Sequence, residues 1–132
     1  MKPTPYTPPT GVDVRLSKGK GRGVFATRRF RAGDIVESAP ALLIPKYQIQ
    51  ALAATFLAHY MFTSDNKKNL VIGLGLTSML NHDDDANAEF FVTSDSVTIK
   101  AKRAIPSGLE ITINYAWRPQ EWAEVLAEKG KE

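Results

Sequence analysis

Three short segments of this sequence hold residue types that binding and catalytic sites use, and the first is a glycine-rich run. Residues 19–23 read Gly-Lys-Gly-Arg-Gly. A turn of this kind lets backbone N–H groups approach an anionic or polar ligand closely. It is neither a dinucleotide fingerprint nor a phosphate loop, because no helix pattern follows it and no Gly-Lys-Ser/Thr occurs. Taken alone, the segment is explained equally well as a tight β-turn.

The second segment, residues 81–87, reads Asn-His-Asp-Asp-Asp-Ala-Asn. Its acidic residues and second asparagine imitate the first ligands of a calcium loop. The glycine that such a loop requires is replaced by Ala88, and the twelfth position is Ser94 rather than glutamate. The two histidines of the chain also lack the spacing of zinc ligands. We therefore expect no metal here and interpret the acidic run as a solvated turn.

The third segment, residues 108–115, reads Gly-Leu-Glu-Ile-Thr-Ile-Asn-Tyr. Its β-branched core, residues 111–113, predicts a short strand that leads to the tyrosine. A lone tyrosine at the end of a strand is usually a core residue whose hydroxyl is hydrogen-bonded. None of the three segments decides a function by itself.

The elements that must position these segments are mostly short strands. Alternating apolar residues punctuated by glycines predict β-structure over residues 13–44, with a turn at residues 32–34. Residues 90–92 and 97–99 flank a Ser-Asp-Ser turn and predict a hairpin. Residues 70–76 also have a β pattern. They follow a polar loop.

Two helices are predicted among the strands. Apolar residues from Tyr47 to Phe62 recur at three- and four-residue steps, which predicts an amphipathic helix. A second helix is predicted from Pro119, a favourable first-turn residue, to about Lys129, with Gly130 placed to cap it. Since strands and helices do not alternate, a doubly wound fold is excluded. The expected class is a mostly-β single domain.

Composition limits the chain further. Its 132 residues allow one domain, and residues 1–10, with four prolines, predict an extended arm. The absence of cysteine excludes disulfides, zinc ribbons and cysteine nucleophiles. No apolar run approaches the roughly 20 residues that span a bilayer, and no secretory signal is visible. We expect a cytoplasmic protein, or a nuclear one if the source has a nucleus, without membrane contact; secretion by a route that leaves no N-terminal signal is the remaining option.

The net charge of +3 is unevenly spread. Six basic residues crowd one early segment: Lys18, Lys20, Arg22, Arg28, Arg29 and Arg31. They form either a solvated face or a basic surface that attracts an acidic partner or nucleic acid.

The order of the segments along the chain is more informative than any one of them. Gly-x-Gly followed by Val-Phe-Ala, an Arg-Ala-Gly-Asp turn, Asn-His with a further Asn five residues on, and Gly-x-Glu-Ile-Thr-Ile-x-Tyr resembles the SET-domain lysine methyltransferases. The resemblance extends from about Val14 to Trp117, and the proportions are similar to the short viral stand-alone SET proteins. It implies a SET domain at residues 12–117 with a knot-like C-terminal threading. A flexible, proline-rich arm at 1–11 precedes it, and a helix and tail at 118–132 follow.

The resemblance also implies a cofactor and a site. The cofactor would be S-adenosyl-L-methionine, and its binding residues would be Lys20, Gly21, Arg22, Gly23, Asn81, His82 and Tyr115. The glycine-rich backbone and the Asn81 side chain would hold the amino-acid part, and the His82 backbone would meet the adenine. Tyr115 and Tyr60 would be the catalytic residues. With Trp117 they would line the channel for the lysine of a protein substrate.

Departures from the family pattern keep two alternatives open. Leu109 stands where the family usually has Glu, and Asn114 where it has Asp. These changes motivate a non-catalytic SET-like binding module as the alternative to an enzyme. A small basic nucleic-acid-binding protein is the more distant alternative, and nucleic acid is not expected as a direct substrate. Similarity to the viral proteins further implies a homodimer.

Overall fold

The computed structural model describes residues 6–115, and within that range the protein is mostly β. The strands are β1 (Val12–Ser17), β2 (Gly21–Ala26), β3 (Ile35–Leu43), β4 (Met61–Thr63), β5 (Leu70–Gly73), β6 (Asn81–His82), β7 (Ala88–Val92), β8 (Ser96–Ala101) and β9 (Glu110–Ile113). One α-helix, α1 (Lys46–Ala53), and two 3₁₀ helices, Phe56–Tyr60 and Thr77–Met79, complete the described elements. The expected fold class is confirmed.

Backbone pairing orders the strands β1-β2-β9-β7-β8-β3-β5-β4. The short strand β6 lies off this path and pairs in parallel with β9. In that pairing Asn81 is opposite Thr112, and His82 is opposite Ile113. The Asn-His segment is therefore placed directly beside the strand that leads to Tyr115.

Aliphatic residues of the strands form the main hydrophobic core. Its buried members on the strands are Val24, Ala26, Val36, Val71, Ala88, Val92, Val97, Ile99, Ala101, Ile111 and Ile113. The connecting segments add Phe30, Leu80 and Ile105. A second, smaller cluster packs α1 and the first 3₁₀ helix near β4 and β5 through Ile44, Ile49, Ala58, Met61 and Leu70. Each fully buried aliphatic side chain contributes roughly 1.5–3 kcal/mol, so these clusters anchor the elements that carry the site.

The strand predictions are confirmed, except that the strand predicted for residues 70–76 ends earlier than expected. The hairpin forms with Phe90 opposite Ile99 and Val92 opposite Val97. The turn at residues 32–34 contains Gly33 with a φ of 90°. The strand predicted for residues 70–76 is shorter, because β5 ends with Gly73 and a 3₁₀ helix follows.

The helix predicted over residues 47–62 is wrong in its length. Helix α1 ends at Ala53, and Thr55 is extended with φ −111° and ψ 167°. The Thr55 hydroxyl donates to the Leu52 carbonyl at 2.7 Å and accepts from the next 3₁₀ turn, so it competes with continued helix. Phe56, which fitted the apolar stripe, is 73% exposed. Helical spacing of apolar residues therefore did not imply a continuous buried face.

Several predictions concern residues outside the described range. The second helix, from Pro119 to Lys129, and the channel residue Trp117 both lie there. The knot-like threading involves the same C-terminal segment and stays a prediction. Among the described residues, no helix combines the length and apolar character that crossing a lipid bilayer demands.

A buried carboxylate ties three parts of the fold together. Glu37 on β3 is 5% exposed. Its carboxylate accepts a hydrogen bond from the Tyr6 hydroxyl at 2.5 Å and one from the Leu76 backbone N–H at 3.0 Å. The arm, β3 and the turn before the second 3₁₀ helix are joined at this point. Burial raises the pKa of Glu37, whereas the two hydrogen bonds act to lower it.

Glu37 makes stability depend on pH. Because its pKa is higher in the folded protein than in the unfolded chain, its contribution is fully present below the ordinary glutamate pKa and is lost as pH rises through the raised value. We expect Glu37→Gln to remove this component, so the variant should gain stability relative to wild type as pH rises from about 4 to 7. Urea unfolding across that range measures it, with Glu89→Gln on the surface of β7 as the control. If the free energies of unfolding of wild type and Glu37→Gln changed with pH in parallel, the pH dependence could not be assigned to Glu37.

Candidate active site

Asn81 joins three strands through its side-chain amide. Its Nδ2 group donates to the Arg22 carbonyl at 2.9 Å and to the Glu110 carboxylate at 2.7 Å. The other Glu110 oxygen accepts from the Ser17 hydroxyl at 2.7 Å. β2, β6, β9 and the end of β1 therefore meet around one carboxylate and one amide. This wall is rich in hydrogen-bond acceptors and carries a negative charge.

The glycine-rich segment leads into this wall. Gly23 is buried in β2, and a Cβ atom there would collide with the Glu110 carboxylate and lie 3.0 Å from Nδ2 of Asn81. Only glycine fits without displacing them. Gly21 has a φ of 79°, which allows the preceding turn, and Lys20 lies exposed in that turn.

His82 fixes the backbone at Tyr115. Its Nδ1 atom accepts a hydrogen bond from the Tyr115 backbone N–H at 2.9 Å. In the neutral ring the proton therefore resides on Nε2, which lies 2.8 Å from the Asp84 carboxylate and donates to it. The rings of His82 and Tyr115 are 5.2 Å apart between centroids. The resemblance predicts a role for the His82 backbone, and the structure adds this role for its side chain.

The Tyr115 hydroxyl has a defined orientation. It donates to the Leu80 carbonyl at 2.6 Å, immediately before Asn81 in the chain. Burial raises the pKa of Tyr115, and the Tyr60 phenol and the Glu110 carboxylate raise it further. The hydroxyl therefore stays protonated at neutral pH, and its lone pairs remain available to accept a hydrogen bond.

Tyr60 lies close enough to Tyr115 to influence its pKa. It ends the first 3₁₀ helix, is 43% exposed, and packs edge-on against Phe56 with ring centroids 6.4 Å apart. This electrostatic influence on the pKa of Tyr115 is the link between the two tyrosines that the resemblance assigns to catalysis. The third predicted channel residue, Trp117, lies outside the described range.

Sequence reasoning assigned no role to three residues that organise the site: Ser17, Glu110 and Asn87. Asn87 is buried, and its side chain donates to the Glu110 carbonyl and accepts from the Thr112 N–H, both at 2.9 Å. It therefore clamps β9 beside the Asn-His segment. The available sequence signal for this role was the position of Asn87 directly before the apolar residues of β7, because a buried amide must find hydrogen-bond partners.

Replacing Asn87 by alanine should destabilise the fold. Two hydrogen bonds are lost and two backbone groups of β9 are left unpaired, which costs about 2–4 kcal/mol. Chemical denaturation measures the loss, with Asn66→Ala as the matched control, because Asn66 is an exposed asparagine whose side chain also accepts two hydrogen bonds. A loss for Asn87→Ala no larger than that of the control would show that the buried clamp contributes no more to stability than the hydrogen bonds of an asparagine in a turn.

The acidic run after His82 is exposed and bonded locally. Asp83 accepts from the Asp85 backbone N–H at 2.9 Å, and the Asp85 carboxylate contacts Arg103 at 3.1 Å. Arg103 also donates to the carbonyls of Asp85 and Ala86 at 3.0 and 3.3 Å. These contacts support its interpretation as a solvated turn.

Comparisons with known proteins show the family to which the chain belongs. The family model of the SET domain matches residues 21–116. A Schizosaccharomyces pombe protein named histone-lysine N-methyltransferase, H3 lysine-37 specific, is 31% identical over 108 residues, which cover 79% of this chain and 72% of that protein. A crystal structure of a Plasmodium falciparum candidate histone methyltransferase has a TM-score of 0.64 at 23% identity, covering 82% of this chain and 95% of that one, and so supports the fold. The chain belongs to the SET-domain family of protein lysine methyltransferases.

Proposed function

We propose that this protein transfers a methyl group from S-adenosyl-L-methionine to the ε-amine of a lysine in another protein. The observation that carries the proposal is the convergence of Gly23, Asn81 and Tyr115 at the junction of β2, β6 and β9. Family membership supports the methyl-transfer reaction, and the acceptor-rich wall supports the choice of cofactor.

The residues at this junction fit the cofactor's chemistry. Its amino group is a cation that suits the Arg22 carbonyl and the Glu110 carboxylate, and the missing Cβ at Gly23 lets that carboxylate and the Asn81 amide lie against the β2 backbone. Gly21 and Asn81 would complete the contacts to its amino-acid part, and His82 would meet the adenine through its backbone. When bound, the cofactor supplies an electrophilic methyl group on a sulfonium.

Tyr60 and Tyr115 would favour the neutral form of the substrate lysine and orient its amine. Free lysine has a pKa of about 10.4, and the amine must be neutral to act as a nucleophile. A channel walled by Tyr60 and Tyr115 disfavours the charged form by desolvation, so no strong general base is required. Since the Tyr115 proton is directed at the Leu80 carbonyl, its lone pairs can accept from the amine and aim it. Aromatic walls also tolerate a cationic methylated product.

The departure at Leu109 lies away from this chemistry. Its side chain is 50% exposed, and its carbonyl accepts from the Ala26 N–H at 2.9 Å, so the residue serves β-pairing. A non-catalytic binding module would be recognised by cofactor binding without any transfer.

The acceptor is proposed to be a histone or another DNA-associated protein, on the strength of the Schizosaccharomyces pombe relative. The test incubates the purified protein with methyl-labelled cofactor and either core histones or a lysate of the source cell. We expect one or few labelled bands. Calorimetry that detects no binding of the cofactor or of its demethylated product would refute the proposal. The working compartment is proposed to be the cytoplasm, or the nucleus where the source cell has one.

We also propose that the working unit is a homodimer. The support is the apolar content of the terminal stretch, Trp117, Trp122, Val125 and Leu126, and the prevalence of twofold dimers. Light scattering at micromolar concentration should give twice the chain mass of 14.6 kDa. Trp122→Glu should lower the mass toward that of the monomer. A fully active protein of monomer mass, unchanged by this substitution, would refute the dimer.

A further inference from the structure

Two turns that are distant in sequence lie side by side and form what we call the basic turn pair, residues 28–33 and 102–105. Phe30 and Ile105 exchange both of their backbone hydrogen bonds, each 2.9 Å long. The Gly33 N–H adds a bond of 2.8 Å to the Ala101 carbonyl. Because the Phe30 and Ile105 side chains are 1% and 0% exposed, the core anchors both turns.

Exposed cations dominate the basic turn pair. They are Arg28, Arg29, Arg31, Lys102 and Arg103. Among the described residues, two carboxylates form hydrogen bonds or ion pairs with these turns. Asp34 accepts from the Arg31 backbone N–H at 2.8 Å, and Asp85 pairs with Arg103. An excess of positive charge therefore faces solvent from a rigid base.

One cation of the pair is already ordered. The Arg28 guanidinium lies 4.0 Å from the centre of the Phe30 ring and donates to the Arg29 carbonyl at 2.9 Å. Fixing this side chain in the free protein lowers the entropy lost when it meets an anion. The planar guanidinium groups suit phosphate oxygens, which they can contact with two parallel hydrogen bonds.

The uncharged surface of the turns indicates which anion fits. Their exposed uncharged residues are small: Ala32, Gly33 and Ala104. An acidic protein partner usually needs large apolar or aromatic anchors at the centre of the interface, and these turns present none among the described residues. Single-stranded nucleic acid needs exposed aromatic rings for stacking, and Phe30 is buried. The chemistry left is contact with the phosphate backbone of a duplex.

We propose that the basic turn pair binds the phosphate backbone of double-stranded DNA without reading its sequence. Through Arg103 and its bonds to Asp85 and Ala86, the surface is continuous with the loop that follows His82. DNA held there would keep the proposed active site near DNA-associated acceptors. This binding goes beyond the proposed methyl transfer and does not depend on it.

The basic run seen in the sequence is divided by the fold. Lys18 and Lys20 lie in the turn before β2, whereas Arg28 follows the end of that strand. Instead of these two lysines, the residues that lie beside the arginines of 28–31 are Lys102 and Arg103, which come from a turn distant in sequence. Lys18, which belongs to neither the basic turn pair nor the site, therefore serves as a control position.

The test titrates a fluorescent DNA duplex with the full chain at several salt concentrations and follows anisotropy. Two double variants remove the same charge: Arg29→Gln with Arg31→Gln in the basic turn pair, and Lys18→Gln with Lys68→Gln on exposed turns elsewhere. We expect the first pair to weaken binding by about tenfold or more and to reduce the salt slope by about two. The control pair should change affinity by less than about threefold, which corresponds to loss of general charge alone.

Three outcomes would overturn the proposal. They are no binding of DNA by the wild-type protein, equal weakening by both variant pairs, and polyglutamate competing as well as unlabelled duplex. The last result would assign the surface to acidic proteins. Urea midpoints and cofactor calorimetry on each variant confirm that it is folded, so that a loss of DNA binding is attributed to the surface.

Discussion

Replacing Tyr115 by phenylalanine should slow methyl transfer by about 100-fold or more while leaving the fold and the cofactor affinity near wild type. The hydroxyl is held by the Leu80 carbonyl at 2.6 Å, so its position is set before the lysine arrives. Misplacing a reacting group by about 1 Å is enough to cost a factor of that size. The phenylalanine ring keeps the packing against His82, so the loss should appear in kcat rather than in cofactor binding.

Single-turnover kinetics with saturating cofactor measure this loss, and calorimetry measures cofactor affinity in the same preparation. Tyr47→Phe is the matched control, because Tyr47 is 72% exposed on α1 and its hydroxyl contacts only Gln48 among the described hydrogen bonds. The control should retain wild-type turnover. Wild-type turnover by Tyr115→Phe as well would show that the reacting amine is not positioned by this hydroxyl.

Asn81→Ala should weaken cofactor binding by about 10- to 100-fold. The substitution removes the amide that bridges the Arg22 carbonyl and the Glu110 carboxylate. Hydrogen bonds to charged groups contribute about 1.5–3 kcal/mol, and the carboxylate loses one of its donors. The wall that would receive the cofactor's amino-acid part therefore loses one contact to the cofactor and the amide that holds the Glu110 carboxylate in place.

Calorimetry with the cofactor and with its demethylated product checks this effect, because both share the amino-acid part. Gly23→Ala should weaken binding in the same direction, since the added methyl group would push the Glu110 carboxylate out of place. Asn66→Ala serves again as the control for loss of an asparagine amide. Unchanged affinity in both Asn81→Ala and Gly23→Ala would place the cofactor elsewhere.

The sequence pattern predicted the elements that depend only on residues close together along the chain. The hairpin of residues 90–99 follows from two apolar runs around a Ser-Asp-Ser turn, and the structure pairs these two runs as antiparallel strands. The same reasoning failed for residues 47–62, where the Thr55 side chain interrupts the helix and Phe56 faces solvent. Apolar spacing reports which residues could share a face, and it does not report which of them are buried.

The site was only partly predictable for a different reason. The resemblance named Asn81, His82 and Tyr115, and the fold brings them together through the parallel pairing of β6 and β9. That pairing joins segments far apart in sequence, so no periodicity within either segment predicts it. The same applies to Glu110 and Asn87, whose roles depend on partners that only the fold supplies.

Methyl transfer from S-adenosyl-L-methionine to a lysine ε-amine is tested by identifying the amino acid that receives the label. Core histones and lysate proteins are reacted with methyl-labelled cofactor, hydrolysed completely, and separated by chromatography beside standards of methylated amino acids. We predict label that co-elutes with N-methylated lysine for the wild-type protein and label reduced to background for Tyr115→Phe. Label in methylated arginine or histidine, or no label in any protein despite cofactor binding, would contradict the account.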